Sequence, residues 1–257
     1  MHTVHIVGAG PGDPELITVK GQRLLQQADV IIYAGSLVNP ALLDYAKPGC
    51  QIHNSASMTL DEVIHTIEKA VKKGFSVVRL HTGDPAIYGA IQEQMDALKK
   101  LAIDFDVVPG VSSFLASAAA LRQEYTLPEI SQTVIITRNA GRTPVPEKES
   151  LKSLAVHKAT MCIFLSVHML DKVAEELIAG GYSSDTPAAV VQKASWPEQK
   201  VVRGQLKTIA EKVKEQSIDK TAMIIVGDCL ESDYALSRLY APEFTHMYRK
   251  GTGAEEK

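Results

Sequence analysis

Short β-branched runs alternate with helical stretches along most of this 257-residue chain, and that alternation constrains the fold more than any other feature. Strands are predicted over 3–7, 30–33, 76–80 and 104–108. Helical spacing of apolar residues follows over 19–28, 60–73, 90–101 and 112–121. Within 60–73, Val63, Ile64, Ile67 and Val71 fall on one side of the predicted helix. Strand then helix, repeated, predicts an α/β sheet covered by helices. A polar, proline-bearing connection near 122–132 interrupts the pattern, which then restarts. Strands are predicted over 133–137, 159–165, 188–192, 200–202 and 221–226, and helices over 169–179 and 209–216. Gly180 and Gly181 stop the first of those helices. The reading is therefore two α/β domains, 1–121 and 122–230. Residues 231–257 form a polar, irregular tail in which Tyr234, Leu236, Leu239 and Tyr240 are available to dock.

Composition excludes several functions. Lys and Arg total 27 against 30 Asp and Glu, so no bulk positive charge awaits nucleic acid. Cys50, Cys162 and Cys229 are too widely spaced for a metal knuckle or a disulfide framework, and Cys162 reads as a buried thiol. The uncharged stretch 107–121 carries Pro109 and Gly110 and is too short and polar for a membrane span. No apolar signal core opens the chain, and the expected location is the cytoplasm. There is no HExxH, GxSxG or GxxxxGK[ST] motif, and His2 with His5 does not make a metal pair. No metal site is expected.

Three loops at predicted strand ends could carry chemistry. Gly8-Ala9-Gly10-Pro11-Gly12-Asp13-Pro14 follows the first strand, where glycines either let backbone approach a ligand or make a purely structural tight turn. It is not a dinucleotide fingerprint, because Asp13 stands where that motif needs glycine. His81-Thr82-Gly83-Asp84-Pro85-Ala86-Ile87 follows the 76–80 strand. Asp84 either accepts hydrogen bonds from a ligand or closes an Asx turn. Val108-Pro109-Gly110-Val111-Ser112-Ser113 follows the 104–108 strand, and Ser112 either caps the next helix or contacts a polar ligand. Ligand loops without obvious catalytic groups point to positioning of a reactive cofactor.

At VGAGPGDPELITVKG, LLQQADVIIYAGSLV, HTGDPAIYGAIQEQM, VVPGVSSF, TVIITRNAGRTPVPE and VVQKASWPEQKVVRG the chain resembles the tetrapyrrole (uroporphyrin-III C/corrin) methyltransferases. The resemblance spans about residues 1–230. It implies a two-domain α/β class III methyltransferase, usually a homodimer, with S-adenosylmethionine in the interdomain cleft. Carried residue by residue, it implies cofactor contacts from Pro11, Gly83, Asp84, Ile87, Ser112, Ser113, Leu165 and Ala194. Relatives often have methionine at the Leu165 position and glycine at the Ala194 position. The segments YAGSLV, TRNAGRTPVPE and KASWPEQK point to the branch acting at C11 of cobalt-precorrin-4 or precorrin-4 in cobalamin biosynthesis. Enzymes acting on uroporphyrinogen III often carry Asp-Arg where this chain has Ala34-Gly35, so their proposed base has no counterpart and the catalytic residues stay unassigned. The alternatives are methylation at another corrin-ring position and a tetrapyrrole-binding module without turnover. The macrocycle's carboxylates need separated positive groups, for which Arg138, Arg142 and Lys193 are the candidates; the alternative is that these charges face solvent. No nucleic-acid or membrane partner is expected.

Overall fold

The computed structural model describes residues 3–231 and 233–252. His2 and residues 253–257 of the predicted tail, with Ser232, lie outside that range. The chain divides into two compact units. Unit 1 takes the chain up to Leu121 together with Val191–Val201 and Lys220–Met223. Unit 2 takes Arg122–Val190, Val202–Asp219 and the chain from Ile224 onward.

Unit 1 is built on a five-stranded sheet of β1 (Val4–Gly8), β2 (Val30–Tyr33), β3 (Gln51–Asn54), β4 (Val77–His81) and β5 (Phe105–Val108). Their order is β3-β2-β4-β1-β5, and every neighbouring pair is parallel. Four helices accompany it: α1 (Val19–Gln27), α2 (Leu60–Lys72), α3 (Gln92–Lys100) and α4 (Ser113–Leu121). Alternation along the strands feeds two cores. Val7, Ile31, Val78 and Leu80 pack with Leu24 and Leu25 of α1. Val4, Val30, Ile32 and Val77 pack with Val63 and Ile67 of α2 and Leu98 of α3. Each fully buried aliphatic side chain such as Ile31 contributes about 1.5–3 kcal/mol. Helix α2 starts at a capping box: Thr59 N donates to Glu62 Oε2 at 2.7 Å and Glu62 N to Thr59 Oγ1 at 3.3 Å. Asp61 and Glu62 sit in its first turn and Lys69 and Lys72 in its last, as the helix dipole favours.

The helix predicted from residue 90 begins at Gln92 instead. Tyr88 (φ 55°) and Ala90 (φ 49°) are both left-handed, and a right-handed helix cannot include them. Strand β3 was not expected, because Gln51-Ile52-His53-Asn54 offers one apolar residue and lies at the sheet edge.

The second sheet holds β6 (Val134–Arg138), β7 (Thr160–Phe164), β8 (Pro187–Gln192), β9 (Lys200–Gln205) and β10 (Ala222–Val226), in the order β6-β7-β10-β8-β9. It is mixed: β6 and β7 run parallel, β7 and β10 antiparallel. Its helices are α5 (Leu151–Ala155), α6 (Leu170–Ala179) and α7 (Leu206–Glu215). Gly180 caps α6 and Gly181, at φ 122°, turns the chain away. Cys162 is fully buried in β7, and burial pushes its thiol up to about 12. Beyond residue 231 the described chain is irregular apart from a short 3-10 turn at Arg238–Tyr240. Tyr234, Leu236, Leu239 and Tyr240 are exposed rather than docked.

Candidate functional site

Strands β4, β1 and β5 are neighbours and parallel, so the three glycine-bearing loops leave the same edge of the unit 1 sheet side by side. Their backbones touch. A Cβ on Gly8 would lie 2.6 Å from Gly110 Cα and 2.7 Å from Gly83 O, and a Cβ on Gly110 would overlap that same carbonyl. Gly10 and Gly83 exchange hydrogen bonds, Gly83 N to Gly10 O at 2.9 Å and Gly10 N to Gly83 O at 3.3 Å. At Gly83 the constraint is conformational: φ is 61°, while a Cβ would meet Ser112 Cα at an ordinary 3.7 Å.

Asp84 is the tie between loops. Its Oδ1 accepts from Ala86 N at 2.8 Å, which is the Asx turn, and its Oδ2 accepts from Gly110 N at 2.9 Å. Each carboxylate oxygen keeps a second lone pair for another donor. Ile87 N reaches back to Asp84 O. Ser112 is buried, and its carbonyl accepts from Leu115 N and Ala116 N at the start of α4. Ser113 O accepts from Ser117 Oγ at 2.8 Å.

Two buried polar atoms at the end of β4, His81 Nε2 and Thr82 Oγ1, have no hydrogen-bond partner among the described residues. Burial, then the positive charge of Arg79, pushes His81 down to about 3, so its ring is neutral at ordinary pH. Arg79 is itself buried, donating to Gln94 Oε1 at 3.0 Å and Ile32 O at 3.1 Å.

Pro11 and Ala194 also belong to unit 1. Both are buried. Ala194 stands between Lys193 (φ 47°) and Ser195 (φ 70°), two non-glycine residues in the left-handed region. Trp196 Nε1 donates to Pro11 O at 2.9 Å, and Asp13 N donates to Ser195 Oγ at 2.9 Å. Sequence reasoning passed over Trp196 and Ser195; the single tryptophan of the chain, placed in a turn rather than on a helix face, was the available signal. Lys193 Nζ pairs with Glu198 at 3.6 Å and lies over the Trp196 ring at 5.5 Å.

Unit 2 holds the remaining candidates. Leu165 directly follows β7 with φ 56° and is 62% exposed, an unusual state for a branched apolar side chain. Arg138 turns its guanidinium onto its own loop, donating to Asn139 O, Thr143 O and Pro144 O at 3.3, 3.1 and 2.7 Å. Arg142 is exposed. No group of three or more His, Cys, Asp or Glu side chains among the described residues could hold a metal ion. No helix among them is long and apolar enough to cross a membrane.

Three comparisons bear on this arrangement. Residues 3–210 match the family model of tetrapyrrole (corrin/porphyrin) methylases. A Methanocaldococcus jannaschii protein named cobalt-precorrin-4 C(11)-methyltransferase is 62% identical over 248 residues, 96% of each chain. A Pseudomonas aeruginosa protein named precorrin-4 C(11)-methyltransferase is 50% identical over 250 residues, covering 97% of this chain and 99% of its own. Among solved structures, a cobalt precorrin-4 methyltransferase superposes with a TM-score of 0.88 at 50% identity, over 90% of this chain and 96% of that one. A Thermus thermophilus uroporphyrin-III C-methyltransferase complexed with S-adenosylhomocysteine gives 0.75 at 29% identity, over 89% and 93%. With converging strand-end loops, matched segments along most of its length and relatives of this identity, the chain belongs to the tetrapyrrole (corrin/porphyrin) methylases.

Proposed function

We propose that the chain transfers the methyl group of S-adenosylmethionine to C11 of cobalt-precorrin-4, with precorrin-4 as the metal-free counterpart, in cobalamin biosynthesis. The observation that carries this reading is the 62% identity, over 96% of both chains, to the M. jannaschii protein of that name. The cofactor supplies a methyl on a positively charged sulfur, which a nucleophilic ring carbon displaces to leave S-adenosylhomocysteine. The residues present fit such a ligand. Unpaired Thr82 Oγ1 and His81 Nε2 lie beside Gly83, and the Gly8–Gly83–Gly110 contact brings backbone from three loops to one point.

In this reading Pro11, Gly83, Asp84, Ile87, Ser112, Ser113 and Ala194 hold the cofactor, with Leu165 the further contact that the resemblance implies. Asp84 keeps the second and third loops in register while offering lone pairs to a ligand hydroxyl or amine. Arg142 meets a substrate carboxylate directly. Arg138 orders the loop that carries Arg142, and Lys193, already paired with Glu198, contributes a screened charge. His81, held far below the usual imidazole range by burial and Arg79, is a poor proton acceptor, and in this reading alignment is the main catalytic resource.

The domains are read as 1–121 and 122–230 with a tail beyond, and the working state as a cytoplasmic homodimer. Exposed Leu236, Tyr240, Met247 and Tyr248 supply apolar surface for a second copy. The three unpaired cysteines suit a reducing compartment. The test is turnover of both precorrin-4 forms with labelled cofactor, the product mapped by NMR. Faster turnover of the cobalt form, with label at C11, is the expected result. Label at another ring carbon overturns the C11 assignment.

A further inference from the structure

The first glycine loop is clasped from outside its own sequence neighbourhood. Trp196 Nε1 donates to the carbonyl of Pro11 at 2.9 Å. The indole lies so close over Gly12 that a Cβ there would overlap its Cδ1 and Nε1 atoms. Asp13 N donates to Ser195 Oγ at 2.9 Å, and Asn39 Nδ2 donates to Gly12 O at 2.7 Å. Three consecutive loop residues are thus held by two consecutive turn residues together with Asn39. The turn is itself tightly set: Trp196 N returns to Lys193 O at 3.0 Å, Ser195 N donates to Gln199 Oε1 at 2.8 Å, and Lys193 and Ser195 are held left-handed. Left-handed backbone at two residues with side chains persists only where surrounding contacts compensate for it.

We propose that Trp196 is a positioning residue for methyl transfer, a latch that fixes the Pro11–Asp13 loop through its indole N–H and its face. Loop and turn each carry a residue read above as touching the cofactor, Pro11 and Ala194, and the inference rests on that reading. The indole bond fixes the direction of the Pro11 carbonyl and with it the course of the loop. A loop released from the indole still leaves the Gly10–Gly83 bonds and the Asp84 tie intact. Cofactor affinity therefore changes little, while alignment of the transferring methyl suffers.

The test uses the full-length enzyme with Trp196→Phe, Trp196→Ala, Gly12→Ala and the Gly12→Ala/Trp196→Ala double variant. Trp196→Phe keeps the aromatic face and loses the N–H. It lowers kcat about tenfold, the scale of one well-placed hydrogen bond, with the affinity for S-adenosylhomocysteine within about threefold of wild type. Trp196→Ala lowers kcat further. Gly12→Ala forces the indole away, so the emission of the sole tryptophan shifts to the red and kcat falls similarly. In the double variant the clash is gone, and its kcat is no lower than that of Trp196→Ala. Wild-type kcat in folded Trp196→Ala overturns the latch, as does unchanged emission in Gly12→Ala. Additive losses in the double variant overturn it too. Asp84→Ala run in parallel reads the site separately: unchanged S-adenosylhomocysteine affinity there refutes the place of Asp84 in the cofactor site, whereas lost affinity with normal Trp196 variants refutes only the latch.

Discussion

Replacing Asp84 by alanine tests whether the three loops form one ligand-binding edge. The carboxylate accepts from two backbone N–H groups, but the two are not equivalent. The bond to Ala86 N is exposed, and water replaces it at little cost. The bond to Gly110 N is partly buried, and Gly110 is jammed against Gly8 and Gly83, so no water follows the lost side chain easily. A hydrogen bond to a charged group contributes about 1.5–3 kcal/mol, and only the Gly110 bond enters at that weight. For a chain of this size that lowers Tm by roughly 3–10 °C. If bound cofactor needs the same loop arrangement, S-adenosylhomocysteine affinity falls with it, by about tenfold for each 1.4 kcal/mol. Asp84→Asn keeps an acceptor for one N–H and turns a donor toward the other, so it falls between wild type and alanine. Differential scanning calorimetry and isothermal titration on the same samples give both quantities. A lowered Tm with unchanged affinity would show that Asp84 serves the loops alone. Unchanged Tm and affinity together would refute the coupling.

Gly110→Ala places a methyl group into the Gly83 carbonyl, and the variant is expected to lose S-adenosylhomocysteine binding while far-ultraviolet circular dichroism stays near wild type; intact binding would show the contact is loose. Arg138→Ala frees the loop that its guanidinium clasps, and Arg142→Ala removes an exposed charge; both should raise the KM for the tetrapyrrole about tenfold and leave cofactor affinity alone. Equal loss of cofactor affinity in titrations would defeat that division. His81 titrates near 6.5 when unfolded but is held neutral down to about 3 when folded. The unfolded chain therefore binds the extra proton first, and this contribution to stability is complete above about pH 6.5 and is lost as pH falls from there toward 3. His81→Gln should flatten the dependence of Tm on pH between 4.5 and 7; an identical slope in wild type and variant would contradict it.

Much of the fold is legible in the sequence because β-branched runs and helical spacing are local signals. The parallel core strands carry continuous apolar runs, such as Val30-Ile31-Ile32 in β2, and were read nearly to the residue. What failed is what residue type does not encode. Gln51–Asn54 forms a strand because β2 offers it a partner, not because its own residues favour one. The late start of α3 follows from left-handed Tyr88 and Ala90, residues whose type favours no such state. The short helix Leu151–Ala155 places Leu151, Leu154 and Ala155 on one side, but five residues are too few for that spacing to stand out beside the loop before it.

The candidate site divides in the same way, and its glycines show where the division lies. Gly8-Ala9-Gly10-Pro11-Gly12 announces that something approaches the backbone closely, and the natural inference from such a loop is a ligand. The close neighbours of Gly8 are Gly110 and Gly83, and that of Gly12 is the Trp196 indole, about 180 residues further along the chain. Glycine spacing thus located the edge of the sheet where the loops converge, but the absent side chains make room first for the protein itself. Asp84 behaves alike: the Asx turn and the functional role were weighed as alternatives, yet one carboxylate closes the turn, bonds Gly110 and keeps lone pairs for a third donor. Long-range contacts of this kind, Trp196 to Pro11 and Asp84 to Gly110, decide which atoms of a loop remain free for a ligand. They exist only once the sheet has brought the strand ends together.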